Sequence, residues 1–73
     1  MQPELRAIFK DAYEYRKDYQ EPTRDISFWA KACADMEELD RKYNRHPFML
    51  NLLLACYTDM ERELLESERH HDG

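Results

Sequence analysis

Few residues of this chain stand at spacings that chemistry requires. Glu66 and His70 are four apart, and His71 and Asp72 follow them. Carboxylate and imidazole at that spacing could serve a divalent metal, but a closed site needs four well-placed donors. Here they fall at a helix end expected to fray, so no metal site is expected. His46 has no thiol or second histidine near it in sequence and is expected at the N-terminal boundary of a helix. Cys33 and Cys56 are the only thiols. Neither is accompanied by a nucleophile–base Cys–His spacing or a glycine-rich turn. Both read as small apolar core residues. A disulfide across the core is geometrically open but not needed in a reducing cell.

The single glycine is the last residue, Gly73. Phosphate cradles and oxyanion turns commonly use backbone positions that glycine alone adopts without steric cost. No P-loop, nucleophile elbow, H-E-x-x-H, C-x-x-C or EF-hand pattern occurs. Neither a cofactor nor enzymatic activity is expected.

Three charged features remain. Arg16 projects within the apolar stripe of its helix, between Ala12 and Tyr19. Either its stem lies on tyrosine rings and its guanidinium reaches water, or it forms a buried ion pair with Glu61 or Glu63. Asp40 falls on the apolar side of its own helix. It reads as a boundary residue, or as a partner for Arg6 or an incoming molecule. Arg41, Lys42 and Arg45, with His46, form the only basic cluster. It complements the negative end of a helix dipole, with contact to phosphate or to a partner as the other reading.

The elements that carry these residues are all helical. Helix 1 is expected over about 3–19, with Pro3 at the first helical position, where its missing N–H had no partner anyway. Leu5, Ile8, Phe9, Ala12, Tyr13 and Tyr19 form its apolar face. Pro22 breaks the pattern. Helix 2 is expected over about 26–43, capped by Asp25 or Thr23. Its stripe is Trp29, Ala32, Cys33, Met36, Leu39 and Tyr43, and Glu37–Arg41 and Glu38–Lys42 are i,i+4 pairs. Asn44 tolerates the left-handed conformation that ends helices. Pro47 then opens helix 3, expected over about 47–68, with a frayed tail from about 69. The connections are short, so consecutive helices should be antiparallel. The expectation is a single all-α domain over 1–73, an up-down-up three-helix bundle.

Composition agrees. Charged residues are 37% of the chain and hydrophobic ones 42%, enough apolar material for a core. The formal net charge is -5, with two Lys/Arg against six Asp/Glu in residues 47–73. An acidic chain gains little from counterion release, so general binding to nucleic acid is disfavoured. The longest apolar run, 52–57, is too short to span a membrane. The opening Met1-Gln2-Pro3-Glu4 lacks a basic and then apolar leader signature, and a cytoplasmic location is expected.

Helix 3 has more apolar surface than one face needs. Its main stripe is Met49, Leu53, Cys56, Tyr57, Met60 and Leu64. Leu50, Leu54 and Leu65 lie to one side of it, and Phe48 and Leu52 to the other. Either helix 3 is central and covered by both neighbours, or Leu50, Leu54 and Leu65 form a second seam against another chain.

Phe28-Trp29 opening helix 2, Tyr43 closing it, Pro47-Phe48 leading into Leu52-Leu53-Leu54-Ala55, and Met60-Glu61-Arg62-Glu63 beyond form a further pattern. It covers roughly 26–64 and resembles small helical proteins of Gram-positive bacteria and their prophages. The resemblance implies a bacterial cytoplasmic location and carries over no activity and no functional residue. The functional expectation is a non-enzymatic interaction module that presents a helical apolar surface to itself, as a homodimer, or to another protein. The alternative is a nucleic-acid-associated or phage-type regulator of host machinery.

Overall fold

The computed structural model describes residues 2–72, and the side chains of residues 2–69. Three helices follow one another: α1 (Pro3–Asp18), α2 (Ile26–Lys42) and α3 (Pro47–Asp72). The helix that was expected to end near 68 keeps helical backbone to Asp72. The frayed tail expected from about 69 thus falls mostly on side chains outside the described residues.

Each helix starts and stops for a local reason. Pro3 and Pro47 occupy first-turn positions. Asp25 caps α2: its Oδ1 accepts hydrogen bonds from the Ser27 N–H at 3.0 Å and the Ser27 hydroxyl at 2.9 Å. These two bonds, the backbone one first, hold the Asp25 carboxyl below the usual carboxylate range. The N-cap of α3 is His46, whose Nδ1 accepts from the Phe48 N–H at 3.1 Å. A neutral imidazole does this with its proton on Nε2, which lies 3.9 Å from Glu4 Oε1.

The end of α2 is a complete Schellman motif. The Arg45 N–H donates to the Asp40 carbonyl at 2.8 Å and the Asn44 N–H to the Arg41 carbonyl at 3.0 Å. Asn44 (φ 52°) and Arg45 (φ 57°) are both left-handed. Asparagine tolerates this region, whereas for arginine it costs about 1–2 kcal/mol. Arg45→Gly is therefore expected to stabilise the fold by up to about 1 kcal/mol, after the larger unfolded-state entropy of glycine is subtracted. Urea unfolding would show it as a higher midpoint with an unchanged slope.

Cross-helix pairs fix the topology. Phe9 meets Phe48 at a centroid distance of 5.0 Å, and Arg16 meets Asp59 and Glu63, so α1 and α3 run parallel. Tyr19 meets Phe28 and Lys42 meets Asp11, so α2 runs antiparallel to α1. The bundle is up-down-up, as the short connections predict.

The core is divided unequally. Ile8, Ala12, Tyr15 and Tyr19 are buried on α1 and its C-cap, and Met49, Leu53 and Met60 on α3. Ala32 is the only buried residue of α2. Phe28, Trp29, Met36, Leu39 and the C-cap Tyr43 pack half-buried against the core, and tyrosine hydroxyls add hydrogen bonds to that contact. Tyr15 donates to the Ala32 carbonyl at 2.8 Å, Tyr19 donates to Asp35, and Tyr43 donates to Asp11 at 2.5 Å. An edge-to-face aromatic chain, Tyr19–Phe28–Trp29–Tyr57, runs from the end of α1 across α2 to α3.

Two expectations about the core are corrected. The buried face of α1 is Ile8, Ala12, Tyr15 and Tyr19, whereas Phe9 and Tyr13 are 44% and 66% exposed. The face is rotated toward α2, where the Tyr15 hydroxyl finds a carbonyl and can be buried without losing its hydrogen bond. Cys33 is exposed rather than in the core, and Cys56 is half-buried. Ala32 marks the closest approach of α2, and the next residue on a helix points about 100° away from it.

Candidate interaction surface

Outward-facing residues of α3 form the most distinctive surface of the molecule. From 47 to 58 the helix contains no charged residue. Within it Pro47, Leu50, Asn51, Leu54, Ala55 and Thr58 are exposed. Their spacing of three and four residues puts them on one face. Leu65 continues it one turn beyond Glu61. Leu50 is 38% exposed, Leu54 49% and Leu65 61%. The other flank, Phe48 and Leu52, packs against the core. The chain therefore covers one flank of α3 and leaves Leu50, Leu54 and Leu65 open.

The small side chains of Ala55 and Thr58 leave a shallow hollow beside Leu54, about 490 Å³, edged by Asn51, Asp59 and Arg62. A second hollow of about 360 Å³ lies between Trp29, Tyr57, Glu61, Leu64 and Leu65. A ridge of leucine between two hollows suits packing against another helix, whose side chains would fill them.

The far flank of α3 is fixed by ions. Arg16 Nη2 lies 3.0 Å from Asp59 Oδ2 and 2.5 Å from Glu63 Oε2, and its Nη1 donates to the Tyr19 carbonyl. Of the two readings for Arg16 the ion pair is found, with Glu63 as expected, with Asp59 in addition and without Glu61, but it is half-buried rather than buried. Arg62 extends the network to Asp59 at 2.8 Å and Glu66 at 2.7 Å. Asp59 is held below the usual carboxylate range by Arg62 and then Arg16.

The basic cluster is dispersed. Lys42 pairs with Asp11 at 2.8 Å rather than with Glu38. Arg41 is 3.9 Å from Glu37. Arg45 is exposed in the left-handed turn. Arg41 and Lys42 line a cleft of about 630 Å³ between α1 and α2, whose other charged walls are Asp11, Glu14, Asp18, Asp35 and Glu38. This acidic cleft is not among the sites expected from the sequence. Its signal is the spacing of Asp11, Glu14 and Asp18 on one helix and Asp35 and Glu38 on the next. Carboxylates around Arg41 and Lys42 oppose phosphate binding there. Asp40 pairs with no cation among the described residues, and its Oδ1 is buried without a hydrogen-bond partner.

The hydrogen-bonded groups between α1 and α2 contribute to the pH dependence of the fold. The Asp11 carboxyl is pulled below its ordinary 3.8 by Lys42 and then Tyr43. The unfolded chain takes up that proton first, so the Asp11 contribution is complete above about pH 4 and fades as pH falls through the lowered folded value. Burial first, and for Tyr19 also the bond to Asp35, pushes the Tyr15 and Tyr19 phenols well above their ordinary 10.0. The unfolded chain gives up those protons first, so stability declines as pH rises past about 10. Urea midpoints from about pH 2 to about pH 11 should show a plateau with both limbs falling, and Asp11→Asn should flatten the acid limb.

Among the described residues, no group of three or more His, Cys, Asp and Glu side chains is placed to hold a metal ion. The side chains of His70, His71 and Asp72 lie outside the described residues. No described helix is long and apolar enough to cross a membrane. No family model, curated protein or solved structure matches the chain.

Proposed function

We propose that this chain is a non-enzymatic protein-interaction module that docks a partner through the outer face of α3. One observation carries the reading: Leu50, Leu54 and Leu65 stay exposed along a helix that bears no charge from 47 to 58. Large apolar side chains gathered on one face mark docking sites more often than scattered ones do. The reading places the module in a reducing cytoplasm, where Cys33 and Cys56 remain thiols. No observation favours the nucleic-acid alternative, since Arg41 and Lys42 are surrounded by acid.

A neutral solvatochromic dye tests the surface. At submicromolar protein the wild type is expected to enhance dye emission, and Leu54→Glu/Leu65→Glu to lose most of that signal. Both positions are exposed, so the variant should keep its helical circular dichroism and lose no more than about 1 kcal/mol of stability. A wild type that leaves the dye dark, or a folded double variant that brightens it equally, would overturn the reading.

A further inference from the structure

We infer that the occupant of this face is a second copy of the chain, paired antiparallel along α3 with Leu54 near the two-fold axis. The inference rests on the outer face of α3 being a docking surface. Three observations, one on the whole chain and two on that face, select the occupant.

The first is area. The chain exposes 5627 Å², roughly 800 Å² more than the approximately 4,800 Å² typical of a folded monomer of its mass. A surface this large for the mass leaves room for an interface of ordinary size, about 800 Å² per partner. Its radius of gyration, 13.5 Å, likewise exceeds the value near 11 Å typical of a compact domain of this length. The shape is a slab of 46 × 24 × 17 Å, with a long side available for lateral pairing.

The second is self-complementarity. The net charge of -5 opposes self-association in general. The stretch 47–58 is where two copies can approach without bringing like charges together. In an antiparallel pair about Leu54, Leu50 of each copy falls opposite the Thr58 level of the other. There the hollow beside Ala55 and Thr58 receives it. This isologous arrangement uses one patch twice, as two-fold interfaces do.

The third is charge, and it decides orientation. The first turn of α3 contains no acidic residue, so the positive end of its dipole has no carboxylate of its own in that turn. Seven residues beyond Leu54 on the same face stands Glu61, and seven residues before it stands Pro47. Antiparallel pairing sets Glu61 of each copy against the first turn of the other. Parallel pairing would set Glu61 against Glu61, a repulsive contact.

Sedimentation of the full chain from submicromolar to submillimolar concentration tests this, with dye emission recorded on the same samples. The expected result is a mass that doubles with concentration, dye emission per chain falling over the same range, and a folded, monomeric Leu54→Glu/Leu65→Glu. Glu61→Gln decides orientation. It is expected to weaken the wild-type dimer about threefold to tenfold, from the loss of two charge–dipole contacts. The control Glu14→Gln makes the same charge change away from the face and is expected not to weaken it. A wild type that stays monomeric throughout overturns the inference. If it also binds the dye at every concentration, the docking surface stands and another partner occupies it. If it binds none, both readings fall. A dimer that the double variant leaves intact, or that Glu61→Gln leaves unchanged or strengthens, also overturns the arrangement.

Discussion

Leu53→Ala is expected to remove about 2–5 kcal/mol of stability, while Leu54→Ala leaves stability almost unchanged. Leu53 has no exposed surface and is packed in the core between α1 and α3. Truncating a buried leucine costs about 2–5 kcal/mol, the transfer of the side chain plus the cavity left behind. A chain of this length has a total stability on the order of 4–11 kcal/mol, and small domains lie toward the low end. One substitution thus removes a large part of the whole. Leu54 is 49% exposed, and its truncation is expected to change stability by less than about 0.5 kcal/mol. Two adjacent, chemically identical residues differ because one step along a helix is a rotation of about 100°. Urea unfolding of the two variants, followed by circular dichroism, measures the contrast. Equal losses would mean that α3 is rotated from the position described.

The second large effect is at Tyr15. Its ring is 3% exposed and its hydroxyl donates to the Ala32 carbonyl at 2.8 Å. Tyr15→Ala is expected to cost about 3–5 kcal/mol, as for other buried aromatics. Tyr15→Phe separates the ring from its hydroxyl. The ring stays, one hydrogen bond is lost, and the expected cost is about 1 kcal/mol. Tyr13→Ala, two residues earlier at a position 66% exposed, should be nearly neutral. Thermal unfolding of the three variants ranks them, and a Tyr13 variant less stable than the Tyr15 variants would reverse the assignment of the buried face of α1.

What is legible in the sequence follows from what each signal encodes. Pro3, Asp25, Asn44 and Pro47 act on the backbone beside them, so the order of helices and their limits were legible to within a few residues. The buried face of α1 was not. Phe9, Tyr13 and Tyr15 have similar affinity for a core, and the choice among them depends on where the tyrosine hydroxyls find partners. Those partners, Ala32 and Asp35, are on another helix. Lys42 illustrates the same limit: local spacing points to Glu38, but the fold brings Asp11 closer. Arg16 was partly legible, because its level in the bundle pointed to Glu63, whereas Asp59 one turn earlier was not anticipated. For Leu50, Leu54 and Leu65, periodicity gives a direction around one helix axis but not what lies in that direction. Only the packing of α1 and α2 shows that this side of α3 is left open.

The two helices that hold most of the core, α1 and α3, are the first and the last. The intervening segment, residues 19–46, contributes only Tyr19 and Ala32 to the buried set. The chain must therefore close a long loop before it gains most of its buried area. That closure costs roughly 3 kcal/mol in chain entropy, plus a constant. A bundle whose neighbours in sequence are also its best-packed neighbours gains burial at each hairpin. Here the α1–α2 hairpin brings Ala32 to Tyr15 and half-buries Met36 and Leu39, and the rest of the fully buried set comes with the third helix. The fully buried side chains that α3 brings to Ile8 and Ala12, those of Met49, Leu53 and Met60, join the core only when the two ends of the chain meet.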